Sequence, residues 1–537
     1  MNFSRYDDQT GLHRIIEANG GGVALLDYDG NGILDIFLTN GCKLPLTTND
    51  RTHPSALFAG REGLRYQDVT QPSGMLPFGY ATGCTVGDYN SDGFDDIYVS
   101  AFGKNSLWRN NGDGTFTDVT AESGTGVGGW GSSTAFADFN RDGVLDLYVV
   151  NYVQASDNPP KLCPDPKAPD GYLQCTPTVF RAAEDVLFLG NGHGGFVNVT
   201  RPAGITGVDG KGLGVVVFDA NGDRWPDIYV ANDGMPNHLY LNETGTLPNS
   251  SKTSSSKPFV RFREAAKLNG LSVNYEGAAE SGMGIAAGDV DGDGWTDLFV
   301  THFFAETNTF YRNLAGSGFS DETNGSGLGP PSRPMVGFGT MFLDFDNNGR
   351  LDLFVGNGHV DDFSFQKKGE AYQMLPQMFR NTGRGKFEDV SWFSGDYFRR
   401  KWIARGVATG DLDNDGDIDI VISHQRSPSV VLRNDTPSRQ RSVVLQLVGR
   451  GRSSRTAFGA RVEANVGDAH IVRELYGGTS FHSAPDRRIH IGLERNPAIT
   501  SLKIRWPSGE SQLLQNVKPG YYVAIEGQKL RSVVQPK

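Results

Sequence analysis

The chain has 537 residues and a formal net charge of -12. This acidity argues against a nucleic-acid-binding surface, and no apolar run approaches the roughly 18 residues of a membrane-spanning helix. Glycine accounts for 70 residues without a Gly-X-Y period, which excludes collagen and indicates a folded chain with many tight turns.

A nine-residue pattern, D-x-[DN]-x-[DN]-G-x-x-D, occurs seven times, first at Asp27 and last at Asp411. Each copy is followed by a short run of β-branched and aromatic residues, such as Ile228-Tyr229-Val230. A second element, seen most clearly at 107–120, recurs between copies. Short apolar runs bounded by Gly, Asn and Asp are typical of β-strands joined by tight turns.

Seven such units predict an all-β fold, a seven-bladed β-propeller, rather than an open solenoid with capping repeats. We expect the propeller to cover residues 1–435. A small C-terminal β-sandwich-like domain is expected at 441–527, followed by a tail at 528–537. The N-terminal fragment 3–12 resembles part of one unit, and we expect it to supply a strand that completes the last blade.

The nine-residue pattern predicts calcium binding, because clustered carboxylate oxygens are ligands that Ca²⁺ prefers. An EF-hand is excluded, since position 12 of every copy is apolar instead of the glutamate that an EF-hand requires. Position 9 is therefore expected to supply the closing carboxylate and position 7 a backbone carbonyl. The structural alternative is that these Asp and Asn residues only cap turns.

We predict up to seven Ca²⁺ ions, one per unit. The fourth copy departs from the pattern because Arg224 replaces glycine at position 6. The predicted side-chain ligands are Asp27, Asp29, Asn31 and Asp35; Asp88, Asn90, Asp92 and Asp96; Asp138, Asn140, Asp142 and Asp146; Asp219, Asn221, Asp223 and Asp227; Asp289, Asp291, Asp293 and Asp297; Asp344, Asp346, Asn348 and Asp352; and Asp411, Asp413, Asp415 and Asp419.

Two insertions interrupt the repeats. The first, 154–181, is rich in proline and contains Cys163 and Cys175, whose separation of twelve positions allows a disulfide. Cys42 and Cys84 have no obvious partner except each other. The second insertion, 243–257, is rich in Ser, Thr and Lys and is expected to be a mobile loop.

Thirteen residues after the first Asp of each copy, six of the seven units have Asn or His. These residues indicate either a polar ligand-binding rim or, as we favour, strand ends that bond their own backbone. His302, His359 and His424 fall in consecutive units, but ordinary hydrogen bonding is expected of them rather than a transition-metal site. The seven positions are Asn40, Ala101, Asn151, Asn232, His302, Asn357 and His424.

The repeated Asp pattern resembles FG-GAP/VCBS repeats, as found in the propeller of integrin α-subunits. The segments 456–462, 473–481, 490–493 and 505–509, the last with the letters R-W-P-S-G, resemble an ASPIC/UnbV domain. A propeller joined to this domain resembles the cartilage acidic protein family. The resemblance implies a secreted, calcium-binding protein that is adhesive or matrix-associated, and it implies no established catalytic residues.

The expected function is that of an extracellular or periplasmic adhesion, scaffold or ligand-binding module, although no signal peptide is visible in this chain. We expect a monomer with a protein or carbohydrate ligand, no nucleic-acid partner and no transmembrane segment. A lectin-like carbohydrate binder is one alternative. An enzyme or biosynthetic accessory protein of unknown reaction is the other, and the sequence favours it less because it contains no recognised catalytic motif.

Overall fold

The computed structural model describes residues 2–47, 52–76, 79–206, 209–246, 259–366, 370–436, 441–534 and 536, so most of the insertion 243–257 lies outside the described residues. Within these ranges the fold is all-β, as predicted. The helices have one turn each: α1 (Thr70–Ser73), α2 (Thr120–Ser123), α3 (Thr323–Ser326) and α4 (Gly329–Ser332), with 3-10 turns at Ile15–Ala18, Pro177–Val179, Thr244–Thr246, Ser391–Phe393 and Asp396–Arg399.

The strands before residue 435 form seven antiparallel sheet units, which we number in chain order. Unit 1 contains β1 (Val23–Leu26), β2 (Asp35–Leu38), β3 (Ala56–Arg61) and β4 (Arg65–Asp68), and unit 2 contains β5 (Tyr80–Gly87), β6 (Asp96–Lys104), β7 (Ser106–Asn110) and β8 (Phe116–Asp118). Unit 3 contains β9 (Gly128–Ala137), β10 (Asp146–Asn151), β13 (Val186–Gly190) and β14 (Phe196–Asn198). A separate hairpin of β11 (Cys163–Pro164) and β12 (Tyr172–Leu173) lies between β10 and β13 in the sequence.

Units 4 to 7 continue the same order, and unit 7 has three strands. Unit 4 contains β15 (Gly212–Phe218), β16 (Asp227–Asn232), β17 (His238–Asn242) and β18 (Phe262–Glu264), and unit 5 contains β19 (Ile285–Gly288), β20 (Asp297–Val300), β21 (Thr309–Asn313) and β22 (Phe319–Asp321). Unit 6 contains β23 (Gly337–Leu343), β24 (Asp352–Asn357), β25 (Gln377–Gly383) and β26 (Lys386–Asp389). Unit 7 contains β27 (Ala404–Gly410), β28 (Asp419–His424) and β29 (Val430–Leu432).

The first strands of the units contact one another in cyclic order. Strand β1 contacts β5, and the series continues through β9, β15, β19, β23 and β27, which returns to β1. Units 2 and 3 also share a continuous sheet, because the long ends of β6 and β9 pair at Phe102 and Trp130. The first strands thus form a closed series of contacts, which we call the ring.

The Asp pattern forms the turn between the first and second strands of every unit. Its ninth residue begins the second strand and pairs with the end of the first, as in Leu26 with Asp35 and Phe218 with Asp227. The strands that follow are buried along their length, since each sheet packs between two neighbours. This explains why their sequences are continuous apolar runs rather than alternating ones.

The N-terminal segment forms one isolated bridge, between Ser4 and Pro428, where a complete strand was predicted. Arg5 accounts for the difference. Its side chain turns inward and donates hydrogen bonds to the carbonyl oxygens of Thr39, Ala81 and Asn19 at 3.1–3.3 Å, which draws the chain across the end of the ring.

The C-terminal domain consists of two four-stranded sheets that share a core including Leu502, Ile504 and Trp506. One sheet has the order β33 (Ile489–Gly492), β30 (Ser442–Val448), β36 (Gly520–Ile525) and β37 (Arg531–Val533). The other has the order β32 (Ala469–Glu474), β31 (Arg461–Val466), β34 (Ile499–Arg505) and β35 (Ser511–Val517). The predicted tail thus contributes a strand, β37.

A loop between β32 and β33, residues 475–488, enters the centre of the ring; we call it the central loop. Its backbone pairs with the first strands of units 1, 4 and 5, through Ala484, Gly477 and Ser480 respectively. Phe481 at its tip is fully buried, with its ring 4.9 Å from that of Phe338. The C-terminal domain therefore inserts its own backbone and side chains into the middle of the ring.

The opposite end of the ring is covered by the N-terminal 3-10 turn and by the first insertion. Ile15, Ile16 and Phe180 join Phe481 in one apolar cluster. The disulfide between Cys163 and Cys175 closes the insertion, and Cys175 is part of the same cluster. Cys42 is buried in the same cluster and Cys84 in another, and neither forms a disulfide.

We expect Phe481→Ala to lower the free energy of unfolding by about 3–5 kcal/mol, because it leaves a cavity among the first strands. Urea denaturation would measure the change. Phe393→Ala is the matched control, since that side chain is 82% exposed and its removal should change stability by less than about 0.5 kcal/mol. Equal effects of the two substitutions would contradict a stabilising role for the central loop.

Candidate metal centres

All seven Asp-pattern loops share one set of backbone hydrogen bonds. The position 6 N–H donates to the position 1 carboxylate at 2.7–3.0 Å. The position 7 N–H donates to the position 5 side chain at 2.7–2.9 Å. These bonds curl the backbone around its own carboxylates, which then point toward a common centre.

The position 9 aspartates are the most deeply buried part of each loop, with at most 1% of the residue exposed. One oxygen of each accepts the N–H of position 2 at 2.7–3.3 Å. The other oxygen accepts an N–H from the third strand or its end at 2.7–2.9 Å. The position 9 carboxylate therefore links the loop to its sheet by hydrogen bonds, and it also faces the candidate metal centre.

Sequence reasoning missed a set of asparagines that connects neighbouring units. In five units the third-strand residue that bonds position 9 is Asn, and its side-chain amide donates to the position 2 carbonyl of the preceding unit at 2.7–3.2 Å. The available signal was an Asn at the end of the third apolar run, which in four of the five units follows an Arg that comes after an aromatic or leucine residue. The five residues are Asn110, Asn242, Asn313, Asn381 and Asn434.

Carboxylate oxygens of positions 1, 3 and 9 lie within 4.8 Å of one another in four loops. Position 5 is outside these groups even where it is Asp, as at Asp293 and Asp415. In the other three loops position 3 is Asn, whose amide oxygen is also a calcium ligand. The four groups are Asp27, Asp29 and Asp35; Asp289, Asp291 and Asp297; Asp344, Asp346 and Asp352; and Asp411, Asp413 and Asp419.

Burial raises the pKa of these carboxyls when no cation is present. The pKa of Asp27, at position 1, rises to about 6 and that of Asp344 to about 7. At position 9 the pKa of Asp35 rises to about 8 and that of Asp96 to about 9. Neighbouring carboxylates of the same loop add to the shift. A bound cation would remove this penalty by compensating the negative charge.

The residues present fit Ca²⁺. Each group supplies hard oxygen ligands, and one oxygen of Asp413 is buried without a hydrogen-bond partner. The fourth loop has the same geometry as the others: Arg224 adopts φ of 71°, in the region that glycine occupies at the equivalent positions, and its N–H bonds Asp219 at 2.9 Å.

The C-terminal domain lies directly on the face that carries these loops. Arg455 is 3.4 Å from Asp88, and Arg488 donates to the carbonyl of Asp411 at 2.7 Å. Tyr521 donates its hydroxyl to the Asp411 carboxylate. Positive side chains of one domain thus face the acidic loops of the other, and the domain contact uses carboxylates of the candidate metal centres.

The Asn and His residues thirteen positions after the first Asp serve the turn structure. All six are buried, and each bonds a backbone carbonyl in the loop after its strand, as Asn151 does with Glu184 and His424 with Pro428, both at 2.8 Å. In the described residues, His302, His359 and His424 belong to no group of three or more potential metal ligands.

We expect calcium affinity to fall as the pH is lowered from about 7.5 to about 5.5, because the position 1 carboxyls must lose protons to bind the ion. Their raised pKa also means that the ion-free folded chain binds more protons than the unfolded chain, whose Asp pKa is about 3.9. Ion-free stability should therefore fall as the pH rises from about 4 to about 8.

Calcium titrations at several pH values and thermal melts in chelator would measure both trends. Calcium affinity that does not change between these pH values, with ion-free stability rising with pH, would show that these carboxyls are ionised without a cation.

None of the helices in the described ranges has the length and hydropathy of a membrane span. The FG-GAP-like repeat family matches residues 88–149, 219–300, 289–355 and 356–422, and the ASPIC and UnbV family matches residues 449–531.

Cartilage acidic protein 1 from Homo sapiens is 24% identical over 368 residues, which are 66% of this chain and 48% of that protein. The Mus musculus protein is 24% identical over 358 residues, with 64% and 48% coverage. The chain therefore spans about half the length of the curated relatives it matches.

Solved structures with a similar arrangement include an Agrocybe aegerita lectin that recognises non-reducing terminal N-acetylglucosamine (TM-score 0.40, 13% identity, 75% of this chain and 86% of that chain). A lectin from Burkholderia pseudomallei has a TM-score of 0.42 and 9% identity, covering 77% and 95%. At these scores the likeness carries no information about function.

The relationship is thus one of sequence, spread over the repeats and the C-terminal domain together. The chain belongs to the family of proteins that join FG-GAP-type repeats to a C-terminal ASPIC and UnbV domain, as in the cartilage acidic proteins.

Proposed function

We propose that the protein is a calcium-stabilised, seven-bladed β-propeller that acts outside the cytoplasm as an adhesion, scaffold or ligand-binding module. The propeller covers residues 1–435, and the C-terminal β-sandwich-like domain covers 441–527. The observation that carries the proposal is the repetition of one acidic loop in seven sheet units, each with the same backbone hydrogen bonds and the same buried position 9 carboxylate.

The blade count is supported by the cyclic contacts of the first strands and by the bridge from Ser4 to Pro428, which brings the N-terminus to unit 7. In a propeller the edges of the first strands face the axis, and here the backbone of the central loop pairs with three of them. The central loop would then act as a plug donated by the second domain.

Calcium binding is supported by the convergence of oxygen ligands in these loops. Without a cation, the same loops would hold several negatively charged carboxylates close together. The ions would be structural, since positions 1 and 9 are also bonded to the backbone of the loop. Up to seven ions would neutralise the carboxylates on the face where the C-terminal domain docks. The proposal assigns positions 1, 3 and 9 as the principal ligands and position 5 as the turn-forming residue.

An extracellular or periplasmic location follows from affinity and redox chemistry. Extracellular calcium modules bind with dissociation constants of about 10⁻⁴–10⁻³ M, and these loops lack the bidentate glutamate found in tighter EF-hand sites. The disulfide between Cys163 and Cys175 is also of a kind that persists in oxidising compartments.

Two substitutions in the seventh loop separate ion binding from backbone support. Asp413→Ala removes a carboxylate that has an unpartnered buried oxygen, so it should lower the melting temperature in Ca²⁺ but not in chelator. Asp419→Ala removes the acceptor for the N–H groups of Leu412 and Asn434, at 3.0 and 2.8 Å, and should cost at least about 2 kcal/mol in both conditions.

Thermal melts with and without chelator, together with elemental analysis of calcium per chain, would test this. The wild-type protein should melt at a markedly lower temperature in chelator. The proposal fails if dialysed protein retains no calcium in millimolar Ca²⁺, or if Asp413→Ala behaves identically in the two conditions.

A further inference from the structure

A polar cavity of about 230 Å³ lies at the end of the ring opposite the C-terminal domain. We call it the mouth pocket and define it by His13, Arg14, Glu17, Gln174, Asp361 and Arg426, which line it. Asp170 stands at its outer edge with 61% of its side chain exposed, and Arg426 is also exposed. The pocket therefore opens to solvent, on the face away from the acidic loops.

Four segments that are distant in sequence build this pocket, and hydrogen bonds join them. His13 of the N-terminal segment lies 2.8 Å from Asp361 of unit 6 and 3.4 Å from Asp170 of the disulfide-closed insertion. The backbone N–H of Gln174 donates to Asp361 at 2.8 Å. Gln425 of unit 7 donates to the carbonyl of Glu17 at 2.7 Å. The pocket is thus a built site rather than a gap between loops.

Some of the charged groups around the pocket are paired with one another. Arg14 lies between Asp8, at 2.7 Å, and Glu17, at 2.6 Å, and both arginine and carboxylates are at least nine-tenths buried. Three carboxylates, two guanidinium groups and the imidazole of His13 line the cavity. Hydrogen-bond acceptors and donors therefore face the same space, which favours a ligand whose groups both donate and accept, as hydroxyl groups do.

Maintaining buried charged groups around an open cavity is costly compared with filling it with apolar side chains. Such an arrangement is typical of sites that recognise polar ligands through directional hydrogen bonds. The disulfide of the first insertion also gains a role here, because Cys175 follows Gln174 directly and holds that wall of the pocket in place.

The remaining hydrogen-bond capacity matches a ligand rich in hydroxyl groups. A carboxylate accepts from several O–H groups, and a glutamine amide both donates and accepts, as a hydroxyl does. Gln9 and Gln174 line the cavity, and Tyr372 adds a phenol beneath Arg426, whose guanidinium lies 4.8 Å above the ring. Gln425 also lines it, but its amide is already bonded to Glu17 and Arg405. The volume corresponds to about eight water molecules, below the range of drug-sized ligand sites.

We propose that the mouth pocket binds one neutral sugar residue, either free or at the end of a glycan. This inference deepens the ligand-binding part of the proposed function but rests neither on calcium nor on the number of blades. The carboxylates and amides would hydrogen-bond to the sugar hydroxyls, while the surrounding ion pairs keep the pocket rigid.

Saturation-transfer NMR and calorimetry on the full chain in millimolar Ca²⁺ would test the proposal with glucose, galactose, mannose, fucose and N-acetylglucosamine. Glucuronic acid and glucosamine are the charged comparison. We expect at least one neutral sugar to bind and Gln174→Ala and Arg426→Ala each to weaken it at least tenfold. Lys167→Ala is the matched control, since Lys167 is exposed on the same insertion and outside the pocket.

The melting temperature of every variant is measured as well, so that a loss of sugar binding can be distinguished from a loss of folding or of calcium binding. We expect it to be unchanged, because the side chains of Gln174 and Arg426 support neither the core nor an acidic loop. The proposal is overturned if no neutral sugar binds at millimolar concentration to protein with an unchanged melting temperature. It is also overturned if only the charged sugars bind, or if neutral sugars bind equally well to Gln174→Ala, Arg426→Ala and the wild type.

Discussion

The structure depends on seven aspartates that are buried at the beginning of the second strand of each sheet unit. Each bonds the loop behind it and the third strand beside it. A buried carboxylate is unfavourable unless it is hydrogen-bonded and its charge is compensated. That single constraint explains why the loops curl inward, why asparagines link neighbouring units, and why oxygens suited to a divalent cation are gathered in the same turns.

The same constraint connects the two domains. The C-terminal domain faces the acidic loops with arginines and a tyrosine and sends its central loop between the first strands. Two kinds of contact therefore stabilise one interface. Arginine side chains compensate the negative charge of the acidic loops at its outside, and Phe481 makes apolar contacts at its inside. Stability of the ring, ion binding and docking of the domain are therefore expected to change together rather than independently.

The two ends of the ring are chemically different. The end under the C-terminal domain carries the acidic loops, and the central loop enters the ring there. The other end is covered by short segments that leave a polar pocket, in which carboxylates lie beside guanidinium and imidazole groups. A structural role for the first end and a recognition role for the second is consistent with this division.

The sequence by itself determined the all-β class, the seven repeats and the residue positions of the acidic loops, since these follow from local spacing and from the strand-forming runs after each loop. It could not place the C-terminal domain on the loops or its residues 475–488 in the ring, because such contacts join segments that local sequence patterns do not connect. For the same reason the sequence contains the repeated asparagine, such as Asn110, but does not reveal that its side-chain amide bonds the carbonyl of Tyr28 in the preceding unit. The pocket around His13 and Asp361 was likewise decided by tertiary structure, since its four segments meet only once the ring has formed.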